Sequence, residues 1–454
     1  MTSENIIMPI IKKCDIKDNF YTVLSVELGN TTIKAIIITT NLKTNKNYLI
    51  NKKILLTRDI QDAQDNDDIF GKTIWNKPLT YNAIVDTITS IIYECLDEVD
   101  MRIDDLDFVV RSTGIIALDT LSKHTGLIIK ALSDGCINAG ITPNMMKAPF
   151  KLDNIPRHLH KYSFFNMVKF DGSVVSVNSD ENSGLTSNQM ESELITAGIK
   201  LASKNSIIDF RNPIITIDMG TTLAGCVVDN NKPYADVKCN LVGLAGGISD
   251  IILRGCNIID EKNSTIDLKN NENITQYNID ELHHNTKKLH KHIKICEVPE
   301  NVDEFGRVAI DKRQYNNTDV KLVGCSIKNE DKLIQTFKDI TQDYTIDMKN
   351  LQIDDMNAYL IKKIVDQIDA LNLLSDNMNI GITGRAGITG NKIKFIDEYL
   401  KDFSGDIIFT SDGLALGALM MARCMNSMGS PINPIGGSTG GMCIMQQRIK
   451  LQKK

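Results

Sequence analysis

The sequence predicts an α/β fold of two related lobes, and three observations predict it. A carboxylate-Gly-Thr turn occurs twice, half a chain apart, each time between two β-branched runs. Amphipathic helical stretches follow strand-like runs in both halves, the order of an α/β protein. The chain has 454 residues, too many for one simple core, so two or three domains are expected.

Residues 1–20 are mixed and polar, a short N-terminal arm or first edge element. Tyr21 to Thr40 reads as a hairpin turning at Gly29-Asn30, with residues 46–58 as a third antiparallel strand. Ile84, Ile88, Ile91, Ile92 and Cys95 recur at helical spacing, which predicts a helix from Asn82 to Val99. Phe108 to Gly114 is a strand ending in a polar turn. A helix from Asn188 to Ser203 closes this first lobe, placed at 21–205. The second lobe, 206–446, opens with a hairpin at 213–228, then the tight turn Gly243–Gly247 and a helix from Ser249 to Arg254. From about 260 to 344 Asn, Lys, Asp and Glu dominate, and this stretch reads as a polar insertion in the second lobe. Regularity returns with a helix near Met356 to Leu374 and a strand from Ile380 to Thr383. A helix ending about Phe403, a strand Ile407–Thr410 and a small-residue helix Ala415–Met425 follow. Residues 447–454 are a basic tail.

A formal net charge of −6 argues against nucleic-acid binding as the main task. No apolar run approaches the roughly 20 residues of a membrane span, and no signal-peptide pattern opens the chain, so a cytoplasmic protein without a membrane partner is expected. The ten cysteines are scattered singly with no CxxC pair, which excludes a readable zinc or iron–sulfur motif.

The first turn reads Glu27-Leu28-Gly29-Asn30-Thr31-Thr32 and the second Asp218-Met219-Gly220-Thr221-Thr222. Glycine permits close backbone approach. Successive N–H groups form an anion-binding concavity, Thr hydroxyls add donors, and the acid holds Mg²⁺ directly or through water. Two such hairpins facing each other would clamp one nucleotide between two lobes. Either copy alone is also satisfied by a plain β-turn. Two matching copies favour the phosphate reading, because an acid ending a buried β run costs free energy without a partner. A third piece, Gly381-Ile382-Thr383-Gly384-Arg385-Ala386-Gly387, either lets a base or ribose lie on bare backbone or serves only strand-to-helix packing. It matches neither common nucleotide fingerprint. The stretch His283 to His292 reads as a solvated, partly basic loop, lacking the companion ligands of a metal site. Glu191 and Glu193 read as an exposed helix face, with reach into the cleft as the alternative. Gly436 to Gly441 either cradles a phosphate or flexes. No triad or nucleophile elbow is arguable, so nothing supports acyl transfer.

With two such hairpins and a later Gly turn, the chain resembles the actin/Hsp70/sugar-kinase superfamily. That resemblance implies actin-like, ribonuclease H-like lobes flanking a nucleotide cleft, with ATP and Mg²⁺ as cofactors. Carried over residue by residue, it implies phosphate binding by Gly29, Asn30, Thr31, Thr32, Gly220, Thr221 and Thr222. It implies metal contacts from Glu27 and Asp218, catalysis by Asp218, and nucleoside binding by Thr383, Gly384, Arg385 and Gly387. Glu27 stands where Asp is commoner, and Arg385 where a second Gly is common. A resemblance covering nearly the whole chain is to methanogenesis marker protein family fourteen. It rests on Ser25–Thr32, Val109–Gly114, Met190–Gly198, Phe210–Pro213, Asp218–Gly225 and the Pro434-Ile-Gly-Gly end. It implies a methanogenic lineage and a pathway association, not a reaction. The resemblance in fold to reactivators of corrinoid proteins and activators of radical dehydratases implies an ATP-hydrolysing activator or reactivator of a partner protein, a corrinoid or nickel-tetrapyrrole enzyme among the candidate clients. A small-molecule kinase of the same fold, a non-catalytic scaffold and a homodimer stay open; the lack of a cysteine cluster motif argues against a radical-dehydratase type of activator, with Cys256 the cysteine to examine before dismissing it.

Overall fold

The computed structural model describes residues 2–17, 19–41, 44, 46–64, 67–115, 121, 124–146, 149–150, 170–171, 174–175, 189–229, 237–260, 262–268, 278–310 and 320–427. In chain order its main elements begin with β1 (Ser3–Ile6), β2 (Phe20–Leu28), β3 (Thr32–Asn41), β4 (Lys46–Leu56), α1 (Tyr81–Asp97), β5 (Phe108–Thr113), α2 (Thr125–Asn138) and α3 (Gln189–Ala202). There follow β6 (Ile214–Met219), β7 (Leu223–Val228), β8 (Val237–Gly243), α4 (Gly246–Gly255), α5 (Ile279–His290), β9 (Ile293–Glu297), β10 (Lys321–Ile327) and α6 (Glu330–Ile340). The last are α7 (Ile346–Ala370), β11 (Asn379–Thr383), α8 (Arg385–Ile388), α9 (Lys392–Tyr399), β12 (Ile407–Thr410) and α10 (Gly413–Ser427).

The chain divides into two compact units. One, the Glu27 unit, holds 7–207, 230–236 and 413–454; the other, the Asp218 unit, holds 1–6, 208–229 and 237–412. In the Glu27 unit the sheet order is β4-β3-β2-β5, continued by the short strands Val174–Val175, Phe170–Asp171 and Pro149–Phe150. β2, β3 and β4 are successively antiparallel, and β5 runs parallel to β2. The β-branched residues of β3 are buried on both faces (Ile33 and Ile37 on one, Ile36 and Ile38 on the other), so layers cover the sheet on both sides. α1 starts where the Thr80 hydroxyl accepts from Ala83 N at 3.2 Å. Its stripe Ile84, Ile88, Ile91, Ile92 and Cys95 packs with Leu24, Val26 and Leu28, each large aliphatic side chain contributing about 1.5–3 kcal/mol. α10 packs on α3 and on β2 and β5. The two helices touch backbone to backbone: a Cβ on Gly198 would stand 1.9 Å from Gly413 O, and one on Gly417 1.8 Å from Leu194 O.

The Asp218 unit carries the order β1-β12-β11-β6-β7-β8-β10-β9. β6, β7 and β8 are successively antiparallel, while β11 runs parallel to β6 and β12 parallel to β11. Both sheets therefore share one pattern: a hairpin, a third antiparallel strand outside it, and a fourth strand parallel to the first on the other side. Among the described residues no helix is long and apolar enough to cross a membrane.

Several expectations change. Residues 1–20, read as an arm or first edge element, supply an edge strand at Ser3–Ile6, and it lies in the Asp218 sheet, parallel to β12. Within the stretch 260–344, the described residues 278–310 and 320–344 join the sheet and core of the Asp218 unit. β10 and β9 extend the sheet beyond β8, and Leu282, Leu289, Leu333 and Phe337 join the main core of that unit. The apolar residues there are few, but they fall on one side of α5 and α6. The histidine-rich stretch is the helix α5 for most of its length, not a solvated loop. α7 begins at Ile346 rather than near Met356. α10, expected in the second lobe, clusters with the Glu27 unit because its glycines let it seat on α3. The Gly436–Gly441 run and the basic tail lie outside the described residues.

Candidate functional site

Asp218 sits next to the end of β6, half-buried, opposite Ala224 of β7 and in register with Thr383 of β11. Thr383 is buried, and the chain leaves β11 through Gly384, whose φ is +85°. A Cβ on Gly384 would stand 2.2 Å from Asp218 Oδ1 and 2.5 Å from the Met219 carbonyl carbon. The carboxylate and the bare backbone of the Gly384 turn are thus in direct contact. Arg385 opens α8, whose Gly387 lies against Met219, its Cβ position 3.1 Å from Met219 Cβ. The sequence-predicted residues Asp218, Gly220, Thr221, Thr222, Thr383, Gly384, Arg385 and Gly387 therefore gather at one end of the Asp218 sheet. α4 holds the turn from behind: Gly246 N donates to Gly220 O at 2.8 Å, and Ala245 N and Gly247 N both donate to Thr221 O at 3.0 Å.

The other turn is closed by Gly29 N donating to Thr32 O at 2.9 Å. Glu27 is buried and faces Lys34 directly across the hairpin, with Nζ 3.2 Å from Oε2. The partner that a buried acid requires is thus a lysine of the same hairpin. Asn30 Nδ2 reaches Gly114 O at 3.5 Å, and Asn30 Oδ1 is buried without a hydrogen-bond partner. Thr57, at the end of β4, braces the turn: its N–H donates to Thr31 O at 3.0 Å and its hydroxyl to Asn30 O at 2.9 Å.

These braces have a common consequence. In a planar trans peptide the N–H points opposite to the C=O. The carbonyls of Asn30 and Thr31 are turned toward Thr57, so the N–H groups of Thr31 and Thr32 point the other way. The carbonyls of Gly220 and Thr221 are turned toward α4, so the N–H groups of Thr221 and Thr222 likewise point away from it. In each unit two consecutive N–H groups, carried by two Thr residues, are aimed together by a brace at the end of the third strand. Paired N–H groups of this kind favour anions. The hydroxyls and the half-buried Asp218 carboxylate are oxygen donors suited to a hard cation that also takes phosphate oxygens.

Sequence reasoning missed two polar networks and misplaced one acid. A Cβ on Gly114 would stand 3.3 Å from Glu191 Oε1, so Glu191 leans over the turn that receives Asn30 rather than lying on an exposed face. On α7, buried Asp354 pairs with Lys392 at 2.5 Å and accepts from Asn391 N at 2.8 Å, fixing the chain just after the Gly384–Gly390 turn. Its neighbour Asp355 meets His283 Nδ1 at 2.8 Å, the Thr286 hydroxyl at 2.5 Å and the Tyr399 hydroxyl at 3.1 Å. Burial opposes the charged form of His283, yet the Asp355 and Glu398 carboxylates hold its pKa above the ordinary histidine value. His290 sits against the Met356 carbonyl, and burial pushes its pKa down to about 4. Half-buried Cys256 has its thiol pKa raised, chiefly by burial.

The fold and these residues define a mixed α/β protein whose two sheets each end in a braced Gly-Thr turn. The chain belongs to the family described as "Uncharacterized protein conserved in archaea (DUF2114)", which matches residues 20–452. It is 40% identical over 454 residues to "Uncharacterized protein MJ1451" of Methanocaldococcus jannaschii, covering 96% of this chain and 92% of that one. It is also 40% identical over 444 residues to an uncharacterized protein of Methanothermobacter thermautotrophicus, covering 96% and 84%. Among solved structures it is similar to the ethanolamine utilization protein EutJ from Carboxydothermus hydrogenoformans, with TM-score 0.38, 11% identity and 90% of each chain covered. A reductive activator for corrinoid, iron-sulfur protein aligns with TM-score 0.33 and 13% identity over 90% of this chain and 61% of that one.

Proposed function

We propose that this chain binds ATP with Mg²⁺ through its Gly-Thr turns, hydrolyses it, and acts as an activator or reactivator of a partner protein in methanogenesis. The observation that carries the nucleotide reading is the pair of braced turns, each aiming two Thr N–H groups together from equivalent places in two sheets of one strand pattern. That shared pattern also supports reading the units as two actin-like lobes. Relatives in two methanogens support the pathway, and a corrinoid or nickel-tetrapyrrole enzyme is the proposed client class.

In this reading Thr31 and Thr32 of the one unit, and Thr221 and Thr222 of the other, are phosphate-binding residues through their N–H and hydroxyl donors. The nucleoside contact falls to the Thr383–Gly387 turn, by Thr383, Gly384, Arg385 and Gly387, while the Cβ faces of Gly384 and Gly387 are taken up by packing on Asp218, Met219 and Ile382. Mg²⁺, when bound, neutralises charge on the phosphates. Glu27 has its charge matched by Lys34, so the metal contact falls to Asp218, directly or through water. Asp218 also orients the attacking water.

Phosphate release by purified protein, with and without Mg²⁺, tests the chemistry. Mg²⁺-dependent release that Asp218→Asn slows by about 100-fold or more is expected. Release unaffected by that substitution would remove Asp218 from the mechanism.

A further inference from the structure

We infer that Thr57 is a positioning residue for the 29–32 turn, and that Trp75 fixes the direction of its hydroxyl. This rests on the nucleotide-binding reading above. Thr57 is fully buried, and Trp75 is buried with its Nε1 2.7 Å from Thr57 Oγ1. An indole N–H can only donate. Thr57 Oγ1 therefore accepts from Trp75, and its single proton is committed to Asn30 O at 2.9 Å. The Thr57 N–H meanwhile holds Thr31 O at 3.0 Å. One residue thus sets the tilt of two consecutive peptide planes, and with it the aim of the Thr31 and Thr32 N–H groups.

The tryptophan is itself fixed. Its backbone N donates to Thr73 Oγ1 at 3.2 Å, and the Arg58 guanidinium stacks 5.1 Å from its ring centroid. Buried hydrogen bonds in series reinforce one another. The Trp75–Thr57–Asn30 chain therefore does for the Glu27 unit what the start of α4 does for the Asp218 unit. Loss of the indole N–H frees the Thr57 hydroxyl to turn away from Asn30; Trp75→Phe also trims a buried ring, so its unliganded stability and its adenosine affinity are the packing controls.

The test measures binding of a non-hydrolysable ATP analogue with Mg²⁺, and separately of adenosine, to full-length wild type, Thr57→Val, Thr57→Ser and Trp75→Phe. Thermal unfolding of each unliganded protein accompanies it. Thr57→Val and Trp75→Phe are expected to weaken the analogue by about 5–30-fold while adenosine affinity stays within about twofold. Thr57→Ser, which keeps both hydrogen bonds, restores the analogue to near wild-type affinity. Wild-type binding of the analogue that neither Thr57→Val nor Trp75→Phe weakens overturns the inference alone. Equal loss for analogue and adenosine also overturns it, since a merely structural role acts that way. No binding by the wild type removes the nucleotide reading and this inference together. Should Thr57→Val fail to fold, Trp75→Phe decides.

Discussion

Gly384→Ala tests the contact between the two predicted site segments of the Asp218 unit. Its φ of +85° with ψ of 142° belongs to a region that residues with a Cβ rarely adopt, costing about 1–3 kcal/mol. The added methyl would also stand 2.2 Å from Asp218 Oδ1, far inside van der Waals contact, and 2.5 Å from the Met219 carbonyl carbon. Relieving that overlap means moving the carboxylate or the β6 backbone, about another 1–3 kcal/mol. Together these predict a loss of about 2–6 kcal/mol. Gly220→Ala is the control from the neighbouring turn. Its Cβ would meet nothing closer than Thr222 O at 3.5 Å, and no left-handed φ opposes it. It is expected to be neutral or to gain up to about 1 kcal/mol through the unfolded state. Urea denaturation of the three proteins, followed by far-UV circular dichroism, gives both differences. Equal stability of Gly384→Ala and Gly220→Ala would refute the claim that the Gly384 turn is packed on Asp218.

Lys34→Met leaves the buried Glu27 carboxylate without its cross-strand partner and is expected to cost about 1–3 kcal/mol, with Lys34→Met/Glu27→Gln recovering part of it. A double variant no more stable than Lys34→Met, by the same denaturation, would show that the pair does not matter. His283 has a folded pKa above its unfolded value of about 6.5. Its contribution is therefore fully present below about pH 6.5 and is lost as pH rises through the folded value. The melting-temperature gap between wild type and His283→Gln should be widest below about pH 6.5 and narrow as the pH rises above it. His290 has the opposite sign, because its folded pKa is depressed, but both proteins carry it and the comparison cancels it. A gap that is flat with pH would remove the charged His283–Asp355 pair.

The hairpins were legible because β-branched runs and Gly turns encode their structure locally. Both copies of the carboxylate-Gly-Thr turn lie where their strands end. α1 was legible from its apolar spacing alone. What was not legible depended on partners remote in the chain. α5 buries Leu282 and Leu289, but also Asn285 and Thr286, so its apolar period is broken. Asp355 of α7, distant in sequence, is what makes Thr286 affordable inside. A local signal did exist: Asn278 caps the helix by accepting from Glu281 N at 3.3 Å. The first turns of α7 were hidden in the same way, by buried Asn350, Gln352, Asp354 and Asp355. The placement of α10 depends on glycines whose role appears only when α3 lies against them. Lys34 as the partner of Glu27 could have been read from the hairpin register, since the two residues face each other across the turn.

Isothermal titration of full-length protein with ADP and with a non-hydrolysable ATP analogue, with and without Mg²⁺ and alongside Asp218→Asn, tests the central claim most directly. The account predicts Mg²⁺-dependent binding by the wild type that weakens about tenfold or more in the variant, a loss of about 1.4 kcal/mol or more. No heat of binding with either nucleotide at millimolar concentration would contradict it, and the braced turns would then serve the fold alone.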